Sequence, residues 1–86
     1  MNNSFAYLGN IKVLKMDQNK EQKEILITKL SELRKSKGIS QREIARKINC
    51  RFATINDIEN LKSNPRIETL IAYALALGYK FDFKLL

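Results

Sequence analysis

Between Arg34 and Arg51 the chain carries seven cations: Arg34, Lys35, Lys37, Arg42, Arg46, Lys47 and Arg51. Glu43 is the single acid among them. Cations at this density suit phosphate oxygens, from which they displace condensed counterions. Nucleic acid is therefore a better-matched partner than a membrane surface. The competing reading is a solvated helical face, where most charge runs end. Catalysis is poorly served: there is no histidine, one cysteine, no glycine-rich phosphate loop and no cluster of metal ligands. No enzyme activity and no cofactor are expected. Cys50 has two readings, a small hydrophobe in an apolar slot or a redox-sensing thiol lowered by Lys47 and Arg51.

These residues must be positioned by a small domain. A chain of 86 residues with 44% apolar content and a net charge of +7 forms one core. So small a core gains from a partner chain. The lone cysteine forms no internal disulfide, which suits a reducing compartment. No segment nears the roughly 20 apolar residues of a membrane span. The start, MNNSFAYLGNIKV, lacks the basic head and apolar run of a signal peptide. The expected location is cytoplasmic.

Residues 1–20 have two readings, a flexible arm or a short hairpin turning at Gly9-Asn10. Over residues 22–37, Leu26, Leu30 and Leu33 recur at i, i+4, i+7, which predicts a helix ended by Gly38. Ser40 and Glu43 form the capping box of a second helix, with Ile44, Ala45 and Ile48 as its inner face. Asn49-Cys50 is a turn. A third short helix turns Ile55 and Ile58 inward and carries Arg51, Phe52, Ala53, Asn56 and Asp57 on or near its exposed front. Asn64-Pro65 supplies a cap and first position for a fourth helix, IETLIAYALALG, ended by Gly78. The tail YKFDFKLL alternates with a period of two and predicts a strand.

Two short helices joined by a tight turn make a helix-turn-helix, whose second helix enters the major groove. The crossing point needs a small residue, which Ala45 supplies. The run LRKSKGISQREIARKINCRFATINDIENLKSNPRIETL is similar to the lambda-repressor and Cro-type helix-turn-helix family without a gap. The matching pieces are LRKSKGISQREIA, TI-x-x-IEN and NP-x-IETL, which together span about half of the chain. The resemblance implies an all-α domain of four to five helices, here with a short C-terminal β-strand. It also implies a transcriptional regulator that binds double-stranded operator DNA as a symmetric dimer. On the matching positions, Arg51, Phe52, Ala53, Asn56 and Asp57 would read bases. Asn60 and Lys62 would grip the backbone, and Gln41 would contact phosphate or brace the recognition helix. Arg34 and Glu59 would form a structural ion pair.

The chain departs from the family in places. Leu61 replaces a glycine after IEN, and Asn49 replaces a turn glycine. Arg51 replaces a serine cap, at a cost of roughly 1 kcal/mol. Phe52, Ala53 and Asp57 are an unusual reading set: Phe and Ala suit a thymine methyl, Asp only a cytosine amino group. Phe52 packs against either DNA or protein, and Asp57 either reads a base or pairs with a neighbouring arginine.

In the fourth helix Ile67, Leu70, Ile71, Ala74 and Leu77 suffice to cover the helix-turn-helix. Ala72, Tyr73, Leu75 and Ala76 leave it apolar almost all round, so a second chain is expected against it. The tail strand is a lone edge in need of a mate. The expected dimer interface is Tyr73, Leu75, Tyr79, Phe81, Phe83 and Leu85. The expected domain plan is an arm over 1–20, the DNA-binding domain over 21–78 and a dimer-contact strand over 79–86. The run LALGYKFDFKLL also resembles HigA-like and HipB-like antitoxins. That resemblance implies an alternative function, an antitoxin that binds a toxin protein and represses its own operon.

Overall fold

Good helix formers fill the chain from Gly9 to Ser36, and no proline interrupts them. The computed structural model describes the backbone of residues 9–82 and the side chains of residues 19–82. Among the described residues there are four α-helices: α1 over Gly9–Ser36, α2 over Gln41–Lys47, α3 over Phe52–Glu59 and α4 over Ile67–Ala76. At 28 residues, α1 extends far upstream of the apolar stripe that predicted it. Gly9-Asn10 opens this helix, so the hairpin reading and a non-helical arm over 9–20 both give way. The weak alternation there lost to an unbroken helix-competent run.

The core consists of Ile27 and Leu30 from α1, Ile44 and Ala45 from α2, Ile55 and Ile58 from α3, and Leu70, Tyr73 and Ala74 from α4, closed by Leu77. On α1 the innermost face is Ile27, Leu30, Ser31 and Arg34, at i, i+3, i+4, i+7. Leu26 and Leu33 flank it, half-buried. Two polar side chains on the inward face conceal the true phase of this helix from a hydrophobicity pattern. α2 packs chiefly on α3, and α1 and α4 close over the pair.

All four helices end in the same backbone motif. The residue after each cap is left-handed: Gly38 at φ 70°, Asn49 at 59°, Leu61 at 59° and Gly78 at 91°. In each case its amide and the next one return to carbonyls of the last turn. After α3, Leu61 N–H donates to Ile58 O at 3.0 Å and Lys62 N–H to Asp57 O at 2.9 Å. After α2, Asn49 N–H donates to Arg46 O at 3.3 Å and Cys50 N–H to Ala45 O at 2.9 Å. The leucine that replaces glycine therefore adopts the glycine conformation itself. For a residue with a Cβ this costs roughly 1–2 kcal/mol.

Three expectations about the C-terminal part are corrected. The N-cap of α4 is Arg66, without a side-chain cap bond, not Asn64. Pro65 is buried just ahead of it, while Asn64 accepts a hydrogen bond from Lys23 Nζ at 2.8 Å. On α4 the inward residues are Leu70, Tyr73, Ala74 and Leu77, whereas Ile67, Ile71 and Leu75 are exposed. Finally, no strand occurs among the described residues, and residues 79–82 have no regular structure. A strand exists by pairing with a neighbour, and the described helices offer no sheet edge. Phe83 and Leu85 lie outside the described residues.

Candidate nucleic-acid interface

The candidate interface is built from α2, the turn over residues 48–51 and α3. Ser40 caps α2, its Oγ accepting from the Glu43 amide at 3.0 Å. Asn49, at positive φ, turns the chain sharply, as a short polar side chain allows. Arg51 is the N-cap of α3 and makes no side-chain cap bond there. Its side chain is exposed and left for another partner. Ile55 and Ile58 pin α3 into the core, so Arg51, Phe52, Ala53 and Asp57 face outward and Asn56 is half-buried at their edge. Asn60 donates from Nδ2 to Asn56 Oδ1 at 3.3 Å, which joins a residue expected to read bases to one expected to grip the backbone. Lys62 is exposed beyond them.

Phe52 is 39% exposed, and the Arg42 guanidinium lies 4.6 Å from its ring centroid. The ring thus carries a cation from α2 on the first turn of α3. Nothing in the spacing of these residues gave this pairing.

The far end of α3 is fixed by Glu59, on which all four helices converge. Arg34 forms a fork, Nε to Oε2 at 2.7 Å and Nη2 to Oε1 at 2.8 Å. Gln41 Nε2 donates to Oε1 at 2.9 Å and Ser31 Oγ to the same oxygen at 3.3 Å. The Tyr73 hydroxyl donates to Oε2. The third Arg34 donor bond, from Nη1 to Ile39 O at 2.7 Å, fastens the loop before α2. No buried side-chain N or O atom among the described residues lacks a partner.

The electrostatics follow from this geometry. Burial pushes the Glu59 carboxyl up, but hydrogen bonds from Arg34, Tyr73 and Gln41 and the Arg34 charge outweigh it and hold it at about 2. Burial and the bond to Glu59 raise the Tyr73 hydroxyl. The bond to Glu59 raises Arg34 against its own desolvation. At neutral pH the cluster is an ionised pair with further neutral donors, a form suited to fixing one arrangement of helices.

Several expected residues are relocated. Arg34 is buried in this cluster and so leaves the surface patch, where Lys35, Lys37, Arg42, Arg46, Lys47 and Arg51 remain exposed. Gln41 braces α3 through Glu59. Tyr73, expected at a dimer face, is 1% exposed and belongs to the core. Leu75, Tyr79 and Phe81 are exposed, with Lys37 Nζ 5.3 Å from the Tyr79 ring centroid. Burial raises the Cys50 thiol, so the lowered pKa that redox sensing needs is not found. Sequence reasoning missed Ser31 and Tyr73 as members of the Glu59 cluster, and the Arg42–Phe52 stack.

No described helix is long and apolar enough to cross a membrane. No curated protein and no solved structure matches the chain significantly. The helix-turn-helix family model matches residues 30–84, which contain α2, α3, α4 and the end of α1. The chain belongs to the Cro/C1-type, XRE-like helix-turn-helix family, whose members are DNA-binding transcription regulators.

Proposed function

We propose that the chain is a dimeric cytoplasmic repressor that reads a near-palindromic operator through α3. One observation carries this reading: Arg51, Phe52, Ala53 and Asp57 stand exposed on one helix whose opposite face and far end are immobilised. Arg51, Phe52, Ala53, Asn56 and Asp57 are assigned to bases, and Asn60 and Lys62 to the backbone. Gln41 adds a phosphate contact through its backbone or a rotated amide. The exposed Lys35, Lys37, Arg46 and Lys47 neutralise flanking phosphates.

The exposed face of α4 supports a second copy there. Ile67, Ile71 and Leu75 form an exposed stripe at i, i+4, i+8, with Leu75 at 56% exposure. The exposed Tyr79 and Phe81 extend the apolar surface along the chain. A two-fold axis through this stripe covers it with itself. It also sets two recognition helices about one DNA turn, roughly 34 Å, apart.

The test is substitution followed by binding to selected and random duplexes. Asn56→Ala and Arg51→Ala should relax base preference, at about 1–3 kcal/mol on the preferred site. Lys62→Ala should weaken all sequences nearly equally. Uniform loss in all three variants would remove the division into readers and anchors.

A second reading, an antitoxin that also binds a toxin protein, is favoured by one feature. A groove of about 600 Å³ lies between α1 and the loop after α3, lined in part by Lys23, Glu24, Ile27, Leu61 and Pro65. Exposed Leu61 at its wall and exposed Ile25 nearby on α1 give it an apolar margin. None of the residues assigned to DNA lines it. Co-expression with the product of a neighbouring small gene, followed by co-purification, separates the two readings.

A further inference from the structure

Arg42 and Phe52 are each poorly placed for the free protein. Arg42 is the second residue of α2, where the exposed amides and helix dipole favour an anion over a cation. Phe52 begins α3 with more than a third of its surface exposed. Of its polar neighbours in the first turn of α2, Gln41 turns inward to Glu59 and Glu43 is half-buried, which leaves Arg42 exposed at the front. The two side chains meet as a cation–π pair at 4.6 Å. Such a pair contributes little at an exposed site, so it does not account for two misfit residues. Both become well placed against DNA, where phosphates supply the anionic field and base edges cover the ring.

We propose that Arg42 and Phe52 act as one stacked reader of a thymine-guanine step, with Arg42 a specificity-determining residue contributed from outside the recognition helix. The ring lies against the thymine C5-methyl. It also holds the guanidinium, whose paired N–H donors match guanine O6 and N7. The stack fixes the arginine before DNA arrives, so less side-chain freedom is lost on binding. The inference rests on the DNA-reading role proposed for α3 and adds a residue and a base step to it.

The test uses the intact chain. Binding sites are selected from random duplexes with the unsubstituted protein, Arg42→Gln and Phe52→Leu. We expect a thymine-guanine step in each half-site. Each variant should lose discrimination at that step by roughly 5- to 150-fold, with the double variant losing no more than the worse single one. On the unsubstituted protein, 7-deazaguanine at the guanine, or uracil in place of the thymine, should reproduce the loss. These base analogues keep the test open if a variant folds poorly. Loss of affinity for all sequences alike in Arg42→Gln makes Arg42 a phosphate contact and overturns the proposal. So does a guanine preference that survives Phe52→Leu, or indifference to both analogues. If preference then still responds to Asn56→Ala and Arg51→Ala, α3 remains the reader and only the stacked pair is lost. If the intact chain shows no base preference at all, both fall together.

Discussion

The Tyr73 hydroxyl donates its hydrogen bond to Glu59, so α4 holds the last residue of α3 through the carboxylate that Arg34 grips from α1. Removing one member strands the others. Tyr73→Phe should destabilise the domain by about 1.5–3 kcal/mol, the range for a bond to a charged group. Glu59→Ala should cost about 3–5 kcal/mol, because it leaves a buried guanidinium unpaired. Thermal unfolding measures both, with about 4–8 °C per kcal/mol in a domain of this size. A Tyr73→Phe variant as stable as the unsubstituted chain would remove the hydroxyl from the structural account.

The same carboxylate makes stability depend on acid. Glu59 sits at about 2 in the fold against an ordinary value of 4.5. A depressed carboxyl contributes stability that is fully present above 4.5 and is lost as pH falls toward 2. Urea midpoints should therefore drop between these limits. Glu59→Gln should start lower and change less across the same window. Equal pH dependence in the two proteins would mean that other carboxyls drive acid unfolding.

Leu61 offers the opposite kind of test. It holds φ 59° while 44% exposed, so its side chain gains little for the backbone strain. Leu61→Gly should stabilise the chain by about 1 kcal/mol. Gly38→Ala should destabilise it by a similar amount: a Cβ there meets nothing within 4 Å, so backbone conformation alone sets the cost. Calorimetry of both variants checks the pair of signs. A Leu61→Gly variant that loses stability would show that the leucine is held by contacts rather than tolerated.

The proposed dimer rests on the outer face of α4. Ile71→Glu or Leu75→Glu should give a monomer at tens of micromolar by sedimentation, with folding intact because both residues are exposed. Deletion of residues 79–86 tests the tail separately. A truncated chain that still dimerises would leave the stripe as the sole interface. An intact chain that sediments as a monomer would sink the dimer.

Much of this arrangement was legible because it is local. Ser40 announces a helix start through its side-chain oxygen, Gly38 and Asn49 announce helix ends through their backbone preferences, and each sits at one. The inner faces of α2 and α3 followed from Ile44, Ala45, Ile55 and Ile58 for the same reason. α4 was harder, since nearly every residue is apolar and two phases fit equally well. Packing chose the one that buries Tyr73, because only there does its hydroxyl reach Glu59. On α1, Ser31 and Arg34 are polar on the buried side, so hydrophobicity pointed to Leu26 and Leu33. Arg42 and Phe52 belong to different helices, and only their crossing makes them neighbours. The tail alternates like a strand, but alternation supplies no pairing edge.

The central claim, that this chain grips DNA through the exposed cations around α2 and α3, is tested most directly by the salt dependence of its affinity. Fluorescence anisotropy on a selected duplex gives the log–log slope. A dimer that neutralises roughly six phosphates should give a slope near −5. A slope near zero, or no binding to any duplex at low salt, would contradict the claim.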